Sequence, residues 1–262
     1  MQNQRTKTQR FILAAAGFAI ATGSLAQADI FEVESFHLGG FYAVPDGEPP
    51  LIPDNDLTFQ NYFMGHTTIP TIPITTTERR TFFAFDLADV LIPDGHEIIG
   101  VEFELELIFG GILANFEGGT EEVIFTSTTS DYDTFMDPLA SGLGPDEIFD
   151  SMGTGDFYTG VGFDTMTIPD SITMDMSEAA IEDILDSMLA DSPFMITGML
   201  ATYDPEASAL FEFVFGLSDV VTGGSPTGFP VPKLTITTAP VPAPAGILVL
   251  GSGLMCSMRR RR

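Results

Sequence analysis

The stretch Ile99-Gly100-Val101-Glu102-Phe103-Glu104-Leu105-Glu106-Leu107-Ile108-Phe109 places apolar side chains at every odd position and glutamates at 102, 104 and 106. Successive side chains of a strand point to opposite faces, so a period of two means one face turned to a core and the other, a row of carboxylates, to water. This is the pattern of a half-buried antiparallel strand. Ala209, Phe211, Phe213, Phe215 and Leu217 repeat it, with Glu212 on the opposite side. Shorter β-rich runs lie at residues 30–36, 57–63, 81–87, 122–128, 157–167, 194–202 and 233–237. Turn signals punctuate them, among them Pro45-Asp46-Gly47, Pro93-Asp94-Gly95 and Gly223-Gly224-Ser225-Pro226. The expected fold is mostly β: an antiparallel β-sandwich of jelly-roll type over residues 29–238.

One amphipathic helix is expected within it. Ile181, Ile184, Leu185, Met188 and Leu189 follow helical spacing, with Glu178, Glu182, Asp183 and Asp186 off the stripe. Asp175 or Ser177 is positioned to cap it, and Asp175 with Glu178 has capping-box spacing. The helix should close one end of the sandwich.

Charge narrows the function. Of 10 basic residues, Arg5, Lys7 and Arg10 lie at the front and Arg259 to Arg262 at the back. Between them only Arg79, Arg80 and Lys233 face all 37 acidic residues. Nucleic-acid binding is excluded on that ground, because each phosphate contact needs a cation. Disorder is opposed by a hydrophobic fraction of 44% that includes 23 Phe, enough to build a core. Arg79 and Arg80 are neighbours on a strand and point to opposite faces; one of them should pair with a carboxylate and fix strand register.

Both ends read as addresses. Residues 1–28 have the form of a signal peptide: a basic start, an apolar run from Phe11 to Ala21, and Ala26-Gln27-Ala28 before Asp29 as the cleavage site. At the other end Val241-Pro242-Ala243-Pro244-Ala245 reads as an extended spacer, since proline removes amide donors and fixes φ. An apolar segment, Gly246 to Met258, and Arg259-Arg260-Arg261-Arg262 follow. The fourteen residues from Ala245 to Met258, if helical, cover only about 21 Å of a hydrocarbon core about 30 Å thick. Unaided, such a segment is a poor permanent transmembrane helix, and its arginines would hold the end on the cytoplasmic side.

A proline-rich spacer, a short apolar helix and an arginine cluster, in that order, resemble the PEP-CTERM sorting signal of bacterial exosortase substrates. Ala243 stands where that family usually has Glu between the prolines. The resemblance implies an exosortase-type processing enzyme as partner, transient anchoring in the inner membrane, cleavage near Pro242 to Ala245, and a final place at the cell surface or outside the cell. Arg79-Arg80-Thr81-Phe82-Phe83-Ala84-Phe85-Asp86-Leu87 followed by Gly95 to Leu107, and later Gly153 to Gly160 and Pro232 to Thr237, are more loosely similar to parts of the sandwich modules of such proteins. The only cysteine, Cys256, lies in the apolar tail, so the body has no disulfide.

Catalytic signals are weak. No G-x-S-x-G is present, and His37, His66 and His96 have no close His or Cys partner in sequence, although their spacing would let neighbouring strands bring them together. Asp54-Asn55-Asp56 and Asp131-Tyr132-Asp133 are the loop clusters suited to a hard cation, so Ca²⁺ is the cofactor that Asp54, Asp56, Asp131 and Asp133 would hold; the alternative is aspartate favouring turns. Trp is absent, which leaves Tyr42, Tyr62, Tyr132, Tyr158 and Tyr203 for sugar stacking. The expectation is a non-enzymatic exported protein of the cell surface or extracellular matrix. The second reading is a carbohydrate-binding module, Ca²⁺-dependent or not, that engages extracellular polysaccharide.

Overall fold

The computed structural model of the chain describes residues 28–43, 61–69, 75–107, 112–113, 120–164, 171–201, 211–217 and 230–241. The alternation around Phe103 forms the strand it predicts, β4 (His96–Glu106). It lies between β11 (Lys233–Pro240) and β8 (Ser171–Asp175), and β11 pairs in turn with residues 29–34 of β1 (Asp29–Ala43). Val101, Phe103 and Leu105 are buried together with Leu234, Ile236, Ile172 and Met174. The opposite face carries rows such as Glu32, Thr235, Glu102 and Asp175 in register. Lys233 Nζ sits 3.3 Å from both Glu32 and Glu104, a cation set among these carboxylates.

The strict odd-position reading fails at its start. Thr237 faces Gly100 while Thr238 faces Ile98, so Ile99 is an extra residue and the phase of β4 reverses there. Ile98 is 9% exposed and Ile99 56%. A bulge of this kind inserts one residue on one strand and re-aims its side chain.

A second bulge lies in β1. Ser35 pairs with Phe85 and His37 with Ala84 of β3 (Thr75–Phe85), so Phe36 is skipped. At this point β1 leaves β11 and joins β3. The first part of β3 also pairs with β2 (Asn61–Ile69), which continues to β10 (Phe211–Leu217) and β5 (Ile112–Leu113). The last part pairs instead with β9 (Phe194–Leu200), which continues to β6 (Thr120–Thr126) and β7 (Phe157–Asp164). Every pairing is antiparallel, and the eleven described strands form one sheet that curls into a nearly closed, barrel-like shape. Phe103 therefore meets the far side of its own sheet, with ring centroids 5.3 Å from Phe83 and Phe125 and 6.0 Å from Phe85. Gly198 on β9 is required by this closure, because a Cβ there would run into Met64 and Phe125.

In β3 the alternation is hidden because both faces are buried. Phe83 and Phe85 join the core around Phe103, whereas Phe82 and Ala84 join a second core with Phe41, Phe135, Ile148, Phe149 and Met195. Short helices α1 (Tyr132–Met136) and α3 (Pro145–Ser151) supply part of that core, and α2 (Pro138–Ser141) lies between them in the chain. Helices this short have no stability of their own, and burial at about 2 kcal/mol per large apolar side chain holds them on the sheet. In β10 Val214 is buried.

The expected long helix is present as α4 (Glu178–Ala190), but its stripe is shifted. Ala180 and Ile184 are buried with Ile181 and Met188 beside them, while Leu185 is 39% and Leu189 85% exposed. Ser177, not Asp175, is the N-cap; its Oγ donates to Phe157 O at 2.8 Å instead of capping, and Asp175 ends β8. Asp191 closes the helix in the left-handed region, φ 52°, with its N–H and that of Ser192 both directed to Ser187 O. No helix among the described residues is long and apolar enough to cross a membrane.

Candidate functional site

Two clefts flank the turn that ends α4, and Ser187, Ser192 and Pro193 form a wall common to both. The first, about 560 Å³, is mainly apolar and is bordered by Phe36, Leu87, Val90, Leu91 and Met188. Phe36 reaches it because the bulge in β1 releases that residue from pairing; its side chain is 37% exposed. The second, about 370 Å³, is lined by hydroxyls such as Ser130 and Ser187 and by Asp131, Asp156, Asp183 and Asp186. Tyr132 belongs to this second cleft, and its ring lies 5.5 Å from that of Phe36, so an aromatic pair marks the place where the clefts adjoin.

The second cleft is built by local rules. Ser127 Oγ accepts from Asp156 N at 2.7 Å and Ser127 N donates to Asp156 O, joining the end of β6 to the start of β7. Tyr158 is buried, and its hydroxyl donates to Asp183 Oδ2 across to α4. Burial first, and then the Asp183 carboxylate, push that phenol far above its ordinary range. Burial, with the charge of Asp133, also raises the Tyr132 phenol. The Tyr132 hydroxyl lies 3.0 Å from His37 Nδ1. His37 is itself buried, its pKa is lowered by desolvation, and its Nε2 has no hydrogen-bond partner among the described residues.

Asp131 and Asp133 lie beside this cleft in a structural role. Asp131 caps α1, its Oδ1 accepting from Thr134 N at 2.8 Å, and the bonds from Thr134 hold its carboxyl below the ordinary carboxylate range. Asp133 is an acid of the first turn, where the helix dipole favours it. Asp54 and Asp56 fall outside the described residues. Among those described, no three His, Cys, Asp or Glu side chains are gathered to hold a metal ion.

The histidines are not brought together. His37 is level with Ala84 of β3, whereas His66 is level with Glu78, six residues along the same strand, and His96 opens β4 in another part of the sheet. Arg80 pairs with Glu78 at 2.9 Å on its own strand, donates to Phe149 O at 3.1 Å and lies 4.2 Å over the Phe149 ring. It anchors α3 to the sheet, a different task from fixing strand register. Arg79 lies 4.8 Å over Phe63. Tyr62 and Tyr158 are core residues, with the Tyr62 hydroxyl donating to Glu106 O, so neither offers a ring for stacking. The backbone of Tyr42 pairs with Arg79, and Tyr203 lies outside the described residues.

Of the sorting and processing residues, Val241 is 51% exposed and its N–H donates to Gly95 O at 2.7 Å. Pro242, Ala243, Pro244, Ala245 and Arg259 to Arg262 lie outside the described residues, as does Ala26. Ala28 is exposed, and Asp29 opens β1.

No protein-family model and no curated protein sequence matches this chain.

The cleft residues that the sequence did not single out are Phe36, Asp156, Asp183 and Asp186. The signals for α2 and α3 were present as Asp137-Pro138 and Gly144-Pro145-Asp146-Glu147, because proline favours the first helical position and Glu147 accepts from Gly144 N at 2.7 Å.

Proposed function

We propose that the protein is an exported, non-enzymatic component of the cell surface or extracellular matrix, carrying a removable C-terminal handle of the PEP-CTERM type. The observation that carries this reading is the position of the two ends of the fold. Strand β1 begins at Asp29, directly behind Ala26-Gln27-Ala28, and β11 ends at Pro240, directly before the Pro242–Ala245 spacer. Asp29 and Thr238 are cross-strand partners, so both signals leave from one pole of the body. Removing either leaves every described strand pairing in place. In this reading the curled sheet is a jelly-roll-like sandwich, residues 246–258 insert transiently in the inner membrane, and an exosortase-type enzyme cuts the spacer. Mass spectrometry of the extracellular protein should place its N-terminus at Asp29 and its C-terminus between Pro242 and Ala245. Recovery of a chain that still ends at Arg262 outside the cell refutes the reading.

A second reading, a carbohydrate-binding module, is favoured by one feature: a bulge turns Phe36 outward onto Tyr132 where a hydroxyl-lined cleft meets an apolar one. Aromatic faces and polar side chains held together on a rigid sheet suit a polyhydroxylated ligand. A glycan array probed with and without Ca²⁺ tests it. Binding only with Ca²⁺ assigns the metal a role at Asp131 and Asp133 or at Asp54 and Asp56, and no binding in either condition leaves the structural reading alone.

A further inference from the structure

Large apolar side chains on a protein surface are ordinary when scattered, as Leu91, Leu143, Phe157 and Leu189 are, each on a different turn or element. Three others are gathered. Ile30 of β1 and Ile99 of β4 lie on the two sides of Thr237 of β11, which pairs with Ile30 and with Gly100, the neighbour of the bulged Ile99. They are 66% and 56% exposed, and with strands about 4.8 Å apart they stand roughly 10 Å from each other. Farther along β11, Ala239 is half-buried and Val241, the first residue past the strand, is exposed. The bulge in β4 creates this patch, because unbroken alternation from the buried Val101 would turn Ile99 into the core. Exposed Glu32, Glu97 and Glu102 lie next to it on β1 and β4.

The patch occupies the pole from which both ends of the chain leave, since Asp29 pairs with Thr238. The length of the C-terminal segment decides what meets it there. With Arg259 to Arg262 held on the far side of a bilayer, residues 245–258 as a helix span about 21 Å of a hydrocarbon core about 30 Å thick. Residues 242–244, extended at about 3.1 Å each, cover the distance of about 9 Å that remains. Val241 then arrives at the boundary of hydrocarbon and headgroups, and the surface around it has no slack to stand off from the membrane.

We propose that Ile30, Ile99 and Val241, with Thr237 and Ala239 between them, form a lipid-contacting patch that seats this pole of the body on the bilayer while the tail is inserted. The apolar side chains enter the boundary between headgroups and acyl chains, and the glutamates stay in the hydrated layer. The contact fixes the height of the Pro242–Ala245 spacer relative to the membrane. The proposal rests on the tail-insertion reading and adds to it a contact made by the folded body.

The chain contains no Trp, so a single introduced one reports its own surroundings. Full-length chain carrying Ile99→Trp is reconstituted with phosphatidylcholine vesicles, and its flotation with them is measured first. In vesicles of brominated phosphatidylcholine the emission of Ile99→Trp should fall about twofold, as for a side chain buried about 5–10 Å into the interface. Leu143→Trp, on the turn between α2 and α3, should lose less than about a tenth of its emission, because α1 and α3 pack on Phe41 toward the other end of β1. Adding Ile30→Asp to the Ile99→Trp chain should remove about half of the quenching or more, whereas a pole merely tethered nearby would not respond. Ile30 and Ile99 are exposed, so unchanged thermal midpoints check folding, and Ile30→Trp serves as a second reporter. A chain that does not float overturns the insertion reading and the proposal together. Flotation without quenching of either Ile99→Trp or Ile30→Trp leaves insertion standing and overturns the lipid contact. Equal quenching of Ile99→Trp and Leu143→Trp, or quenching indifferent to Ile30→Asp, overturns it as well. Blue-shifted emission without lipid quenching, in chains that sediment as dimers in detergent, assigns the patch to a second copy of the chain and likewise overturns the proposal.

Discussion

Strands β11, β4 and β8 are covered on one side only, whereas the last part of β3 is covered on both. In the first region Phe103 and its neighbours face the interior, while Glu102, Thr235 and Asp175 face water. In the second, Phe82, Phe83, Ala84 and Phe85 are all buried, two toward the curled sheet and two toward the short helices. A one-sided sheet specifies its register by alternation, because a slip by one residue would bury its carboxylates. A two-sided sheet cannot use that device. Its register is supported instead by features along the strands, such as the Phe36 bulge and the close approach at Gly198.

The two regions should respond differently to damage. Phe103→Ala, in the middle of the enclosed core, should cost about 4 kcal/mol of global stability, read as a lowered urea midpoint with an unchanged slope. A loss below about 1 kcal/mol would mean that the sheet does not close around this ring. Phe135→Ala should cost about 3 kcal/mol, expressed locally. Amide exchange should accelerate over residues 132–151 and stay slow in β4 and β11; uniform acceleration would show that the helical layer and the sheet unfold as one.

Acid provides a milder probe of the same layer. His37 has a folded pKa lowered by desolvation, so the unfolded chain binds the extra proton more readily. The stability that His37 contributes by staying neutral is complete above its unfolded value of 6.5 and is lost as pH falls from there through the folded pKa. His37→Gln should flatten that part of the stability profile. An unaltered profile would place the titration elsewhere. The smallest effect is expected at the first bulge: Ile99→Thr should stay within about 0.5 kcal/mol, whereas Ile98→Thr should cost about 1–2 kcal/mol, and the reverse order would return β4 to unbroken alternation.

The same contrast explains what the sequence discloses. The mostly β, antiparallel character, β4, the Pro93-Asp94-Gly95 turn and the existence of α4 follow from local pattern, because each expresses its burial within a few residues. Gly95 takes φ 75° and His96 N bonds Pro93 O, as such a turn requires. Ile99 and Phe36 were misplaced or passed over because a bulge is set by the partner strand, which alternation along one strand does not reveal. Leu185 and Leu189 satisfy helical spacing but lie on the exposed flank of the helix. Asp156 and Asp186 are far apart in the chain, so their meeting in one cleft depends on how β7 and α4 pack. Asp131 was legible as a distinctive aspartate, yet its carboxylate serves as a helix cap.

The pairing of Asp29 with Thr238 also governs how the chain tolerates being re-cut. A linker of a few residues is enough to join these positions, and new termini opened at the exposed Gly142-Leu143 turn would give a circular permutant that retains every described pairing. For the same reason the body is suited to insertion as a cassette within a surface loop of a host protein, entering and leaving it through neighbouring strands.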